Sequence, residues 1–224
     1  MFKRNNVLVK NNAYGAFISS REEYLTTNPE KSKLQAIDIP SYSKNSICYE
    51  RFNQTILGIN VEEKILCIFD KNGVLLRKIR PNHLLLQPFA ICTSIVEESN
   101  KVKIFISDHG LHRILEFNEN YKFQKEFAKE LDIDYMTIDQ DNSLLYGIIK
   151  NHDIVSIWNF QDGSFNSQFS IKSPTEIKVS SKYIYLIGTQ ASNNIPKASN
   201  LNTASCKDQS IYILDKNSLE IIFI

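Results

Sequence analysis

The chain has 224 residues, 42% of them apolar and 23% charged, and its 26 basic and 25 acidic side chains leave a formal charge of +1. That balance suits one globular domain and excludes a global field of the kind that gathers nucleic acid or an anionic membrane surface. Thirteen Phe and ten Tyr beside a single Trp favour pleated strands, which accommodate aromatic and β-branched side chains well.

The N-terminal MFKRNNVLVKNN is basic but carries no continuous apolar core of a leader, and nowhere do 18 apolar residues run together. The expectation is an intracellular, cytoplasmic protein with no membrane partner. Within residues 1–45, NVLVKN, AYGAFISS and KLQAIDIPS read as strands. Leu8 lies 40 residues before Cys48, which fits a degenerate first copy of the unit that follows; an N-terminal extension is the competing reading.

From residue 46 one layout recurs: four short apolar runs separated by polar turns. The units span 46–80, 88–129, 134–171 and 174–224, the last interrupted by a polar stretch at 190–209. Asn72-Gly73 and Asp162-Gly163 stand before the last run of their units and supply the positive φ of tight hairpin turns. Cys48, Ala90, Met136 and Ile177 hold similar places in the first runs, at spacings of 42, 46 and 41. A period of that size holding four strands is one propeller blade, whereas a helical repeat needs apolar residues three and four apart over ten or more positions. The fold predicted is all-β, a β-propeller of four-stranded blades, about five in this chain. A closed ring, an open arc and a piece of a longer propeller are all allowed. Three of the four cysteines, Cys48, Cys67 and Cys92, fall in strand-like runs and read as buried thiols; with Cys206 they form no CxxC pair for zinc or redox chemistry.

The segment IFISDHGLHRILEFNEN, residues 104–120, resembles the NHL repeat, with Asp108, Gly110, His112, Arg113 and Phe117 on its pattern, and QPFAI at 87–91 is similar to the start of such repeats. Phe69-Asp70 matches one end of the motif, and residues 144–160 lack its His-Arg pair. The resemblance implies an NHL-like propeller. Such propellers often form the substrate-recognition part of ubiquitin ligases carrying RING and B-box zinc modules, the tripartite-motif proteins, and some bind RNA. This chain lacks the Cys and His pairs of those modules, so ligase chemistry is not expected in these residues. In physical terms, Asp108 is placed to accept N–H groups of the following turn, Gly110 to relieve a positive φ, and His112 and Arg113 to tie one blade to its neighbour. The Asp108-His109-x-x-His112 string lacks the helical face that sets two His on one ion, and no metal site is expected.

Links between blades and loops from second to third strand share one face of a propeller. That face collects Arg80, His83, Lys129 and Glu130 from links and His109, His112, Lys150 and His152 from loops, together with the 190–209 insertion. Arg80, His83, His109, His112, Lys150 and His152 are the candidate partner-binding residues. No GxSxG elbow, P-loop, HExxH or dinucleotide fingerprint occurs. The expectation is a non-catalytic protein-interaction scaffold with no cofactor. An RNA-binding propeller is one alternative; the other is a metal-dependent hydrolase or lyase drawing on the inner-strand acids Glu50, Glu97, Asp139 and Glu176, which do not occupy equivalent positions.

Overall fold

In a computed structural model, the residues described are 46–51, 53–81, 85–96, 101–149, 151–189 and 209–223, with backbone strands at 7–10, 15–18 and 35–38. His83, Glu97, Lys150, Cys206 and most of the 190–209 insertion lie outside them.

The N-terminal strands expected from the apolar runs form as β1 (Val7–Lys10), β2 (Gly15–Ile18) and β3 (Gln35–Asp38). They make a three-stranded sheet of order β2-β1-β3, in which β1 runs antiparallel to β2 and parallel to β3. A parallel pair needs a crossover connection, so this sheet differs in kind from a four-stranded hairpin meander.

The remaining strands form four such meanders. The first holds β4 (Ile47–Glu50), β5 (Thr55–Asn60), β6 (Ile65–Phe69) and β7 (Leu75–Ile79). The second holds β8 (Pro88–Val96), β9 (Lys101–Asp108), β10 (Arg113–Asn118) and β11 (Phe123–Phe127). The third comprises β12 (Ile133–Asp139), β13 (Leu144–Ile149), β14 (Ile154–Asn159) and β15 (Phe165–Ser170). The fourth comprises β16 (Glu176–Val179), β17 (Tyr183–Thr189), β18 (Gln209–Asp215) and β19 (Ile221–Phe223), so the insertion joins its second and third strands. The first strands β4, β8, β12 and β16 neighbour one another in sequence order, which stacks the sheets as consecutive blades.

Strand alternation decides the core. Leu57, Ile59, Leu66 and Ile68 of the first blade meet Ile91, Ile104, Ile106, Leu115 and Phe117 of the second. The opposite face of the second blade, with Ala90, Phe105, Ile114 and Phe127, meets Ile133, Leu145 and Trp158 of the third. Tyr146, Val155 and Ile157 then meet Ile177, Ile184, Leu186 and Tyr212 of the fourth. The second and third blades thus bury their two faces against different neighbours, and Phe105 sits edge-on to Phe127 with centroids 6.1 Å apart.

Each turn from third to fourth strand is built the same way. A side-chain oxygen of Asp70, Asn118, Asn159 or Asp215 accepts backbone N–H groups two to four residues on, at 2.8 Å from Asn72 and Val74 in the first blade and 3.0 Å from Asn120 and Lys122 in the second. A left-handed residue follows: Gly73, Tyr121, Gly163 and Leu219 have φ of 84°, 61°, 83° and 57°. All four third-to-fourth strand pairings also carry a β-bulge one or two residues before that Asp or Asn. The Asn-Gly and Asp-Gly pairs mark this turn in only two blades, because Tyr121 and Leu219 adopt the same conformation at a cost of about 1 kcal/mol each.

Backbone N–H groups hold the half-buried Asp70 and Asp215 carboxyls below their ordinary value of 3.8, and for Asp162 the Ser164 hydroxyl and N–H do the same. A depressed folded-state pKa contributes stability above the unfolded pKa, which is lost as pH falls through the folded one. Resistance to urea is therefore expected to drop below about pH 4, and Asp70→Asn combined with Asp215→Asn should flatten that acid limb in urea titrations between about pH 5 and pH 2.

Candidate functional site on the loop face

The end of β9 organises the loop face. Asp108 is 1% exposed, and its carboxylate accepts N–H groups from Leu86 and Gln87 at 2.8 Å, from Gly110 at 3.0 Å and from Leu111 at 3.2 Å. One side chain thereby fixes both the turn into β10 and the chain that leads into β8. The turn role expected of Asp108 is present, and the grip on residues 86 and 87 is an addition that spacing does not reveal. Gly110 acts differently from expectation. Its φ is not positive; a Cβ there would stand 2.6 Å from Leu86 Cβ and 3.0 Å from Gln87 N, so the residue is small to let the link pass. The left-handed position falls on His112, at φ 51°.

The same corner is locked to the next blade through the Ile133 carbonyl. It accepts from the Ser107 hydroxyl at 2.8 Å and from His109 Nε2 at 3.0 Å. A carbonyl only accepts, so the His109 proton sits on Nε2. The ring stacks on Phe89 with centroids 4.4 Å apart and is 3% exposed. His109 is therefore an internal strut between blades rather than a surface contact, because its ring is enclosed by Phe89 and the start of β12. His112 Nδ1 lies 2.7 Å from Asp132 Oδ1, and its carbonyl accepts the Leu131 N–H at 3.1 Å, which ties the loop to the link that follows β11. Arg113 stays within its own blade, donating to the Leu111 carbonyl at 2.8 Å and pairing with Glu126. Phe117 is fully buried against Phe123.

Links and second-to-third-strand loops do meet on one face. Besides the bonds above, the Ile171 N–H donates to the Asp153 carbonyl at 3.0 Å and the Ser173 N–H to the Asp153 carboxylate at 2.7 Å. Between them Leu111, His112, Arg113, Lys129 and Glu130 line an open groove of about 500 Å³. Lys129 and Glu130 come from the link, Leu111 and His112 from the loop, and Arg113 opens β10. Arg80 and His152 are exposed on a link and on a loop.

The inner strands carry a second group of polar residues. Glu50 accepts from the Asn53 N–H at 2.9 Å and the Thr55 hydroxyl at 3.4 Å, closing its own turn. Glu176 accepts from the Tyr135 hydroxyl at 3.4 Å, and Lys178 lies 4.9 Å from the Tyr135 ring centroid. Burial together with Glu176 holds the Tyr135 hydroxyl protonated, its pKa pushed upward. The Cys48 thiol is pushed up to about 12 by burial and Glu50, against the opposing effect of Thr93, and Cys92 is pushed up by burial and by Cys48. Thiols shifted this way are poor nucleophiles. The side-chain amide of Gln140 brackets the Ile95 peptide, accepting its N–H at 3.0 Å and donating to its carbonyl. Asp139, 2% exposed, pairs with Lys216 at 3.0 Å and takes a hydrogen bond from Asn142 at 2.9 Å. Glu50, Asp139 and Glu176 are thus engaged in three separate structural roles.

No family model matches the chain, and no curated protein matches it in sequence. Among solved structures it is similar to hydrazine synthase of Kuenenia stuttgartiensis, with a TM-score of 0.54 at 10% identity over 76% of this chain and 46% of that one. It is also similar to the dihydro-heme d1 dehydrogenase NirN in complex with DHE, with a TM-score of 0.52 at 12% identity over 79% of this chain and 36% of that one. At these identities the likeness shows the fold alone, and that fold is an all-β, β-propeller-like one. The chain spans less than half the length of each of these two structures.

Two substitutions test the joints. Asp108→Ala strands buried N–H groups and is expected to remove about 2–4 kcal/mol of stability in urea denaturation. Lys216→Met leaves Asp139 buried without its cation and should cost about 3–5 kcal/mol, much of it recovered when Asp139→Asn is added, as a double-mutant cycle would report.

Proposed function

We propose that this chain is a non-catalytic, NHL-type β-propeller that serves as a protein-interaction scaffold and receives its partner on the loop face. The observation that carries the proposal is the groove between the β9–β10 loop, fixed by Asp108, and the β11–β12 link, whose exposed Lys129 and Glu130 precede the Leu131 N–H and Ile133 carbonyl that bond back to His112, Ser107 and His109. Loops held by a rigid frame bind by complementary shape and charge and need little reordering on contact. The motif residues support the same reading. Asp108, His109 and Arg113 are committed to backbone and ion-pair contacts that shape the face, as struts are, while Lys129 and Glu130, of opposite charge, are exposed beside them.

The test is a comparison of the unaltered chain with a charge-swapped form, Lys129→Glu with Glu130→Lys, which conserves net charge. A tagged chain should recover one partner protein reproducibly from cell extract, and the swap should lower its affinity by roughly tenfold with no change in thermal midpoint. Equal binding by both forms refutes the groove. Recovery of RNA whose affinity falls steeply with added salt, the signature of counterion release, refutes the protein-scaffold reading.

A further inference from the structure

The four blades repeat one design, so their outermost strands can be compared position by position. In each, the bulge leaves one residue of the outer strand without an opposite number: Leu76 in β7, Gln124 in β11, Asn166 in β15 and Ile222 in β19. The two middle blades place an amide at this exposed site. The first places Leu76 at 59% exposure, beside Val74 at 60% and Leu75 at 45%. An edge strand that opens on two exposed apolar residues directly after a third is a liability unless something covers it.

Charge marks β7 further. Residues 71–80 hold Lys71, Arg77, Lys78 and Arg80 and no acid, and all four cations are exposed. Glu63 pairs with Lys78 at 3.1 Å, which leaves an excess of positive charge along this edge. The other outer strands differ: β11 sets Lys125 against Glu116 of its own blade, β15 has no charged residue, and β19 has none and follows Glu220. Among the described residues β7 pairs with β6 alone, so the N–H and C=O groups along its outer edge face outward.

We infer that β7 is a docking edge for an extended acidic segment of a partner protein that alternates carboxylates with β-branched residues, added as a fifth strand to the first blade. The main chain of such a segment completes the hydrogen-bond ladder, its apolar side chains cover Leu75 and Leu76, and its carboxylates meet Lys71, Arg77 and Arg80. A second copy of this chain fits less well, since pairing β7 with β7 brings two cationic strands together. This edge is distinct from the loop groove, and failure here leaves the groove reading standing.

The probe is a fluorescein-labelled peptide of about seven residues, Glu-Val-Glu-Val-Glu-Val-Glu, read by fluorescence anisotropy on the intact chain. Saturable binding is expected, weakened at least about threefold when salt rises from about 50 to 300 mM. Leu76→Asn, which copies the amide tolerated in the third blade, and Arg77→Glu should each weaken it about tenfold. N-methylation of alternate peptide nitrogens, which removes ladder donors without altering charge, should do the same, while Gln124→Asn in β11 leaves binding unchanged. Absence of saturable binding overturns the inference, as does equal binding of the N-methylated peptide. A concentration-dependent dimer in sedimentation that Leu76→Asn abolishes would overturn it in favour of self-pairing.

Discussion

One carbonyl group, that of Ile133, joins the second blade to the third. Ser107 and His109 both donate to it from the end of β9, and the neighbouring Asp108 gathers four N–H groups from two chain segments. A sheet edge and a loop end are places where backbone groups have no ladder partner, and burying them unpaired costs about 1–3 kcal/mol each. Three consecutive side chains, Ser107, Asp108 and His109, meet that requirement where two blades and a link converge. The position of the loop face follows from it.

Away from this corner, cohesion comes from apolar packing between successive blades. The first and third clusters share no residue, and the three clusters join the four blades in sequence order, each blade to the next. Such an array gains stability nearly as a sum of neighbour terms. Polar ties are placed at the ends of the strands: Gln140 grips Ile95 on one side of the third blade, and Lys216 reaches Asp139 on the other. Both bonds lie where the sheets would otherwise slide past one another, since apolar packing is non-directional and does not set register.

Much of the fold was legible in the residues. Apolar runs separated by polar turns at a period near forty point to four strands in each of four units, and four four-stranded sheets form there, although β11 and β15 are largely polar and β19 is only three residues long. The candidate site was legible only in part. The strands and loops that carry Asp108, His112 and Arg113 were identifiable, yet nothing in the string Asp-His-Gly-Leu-His-Arg distinguishes the buried His109 from the exposed His112. That difference depends on Phe89, twenty residues earlier, whose ring covers one imidazole and not the other. Gly110 was misassigned for a similar reason: a short-range rule about φ was applied where the constraint is the passage of Leu86. The turn repeat was half visible, because Asn-Gly is a conspicuous signal while Tyr121 and Leu219 reach the same left-handed geometry under tertiary support.

What the sequence determined by itself is the class of fold and the number of strands per blade, since apolar runs and turn chemistry are local and survive without knowledge of neighbours. Only the tertiary structure decided which polar residues are struts and which are surface. It also set Lys129 and Glu130 beside Leu111 to form a groove, and left the apolar edge of β7 uncovered among the described residues. These outcomes depend on contacts between residues far apart in the chain, and side-chain burial is a property of the assembled blades rather than of any one segment.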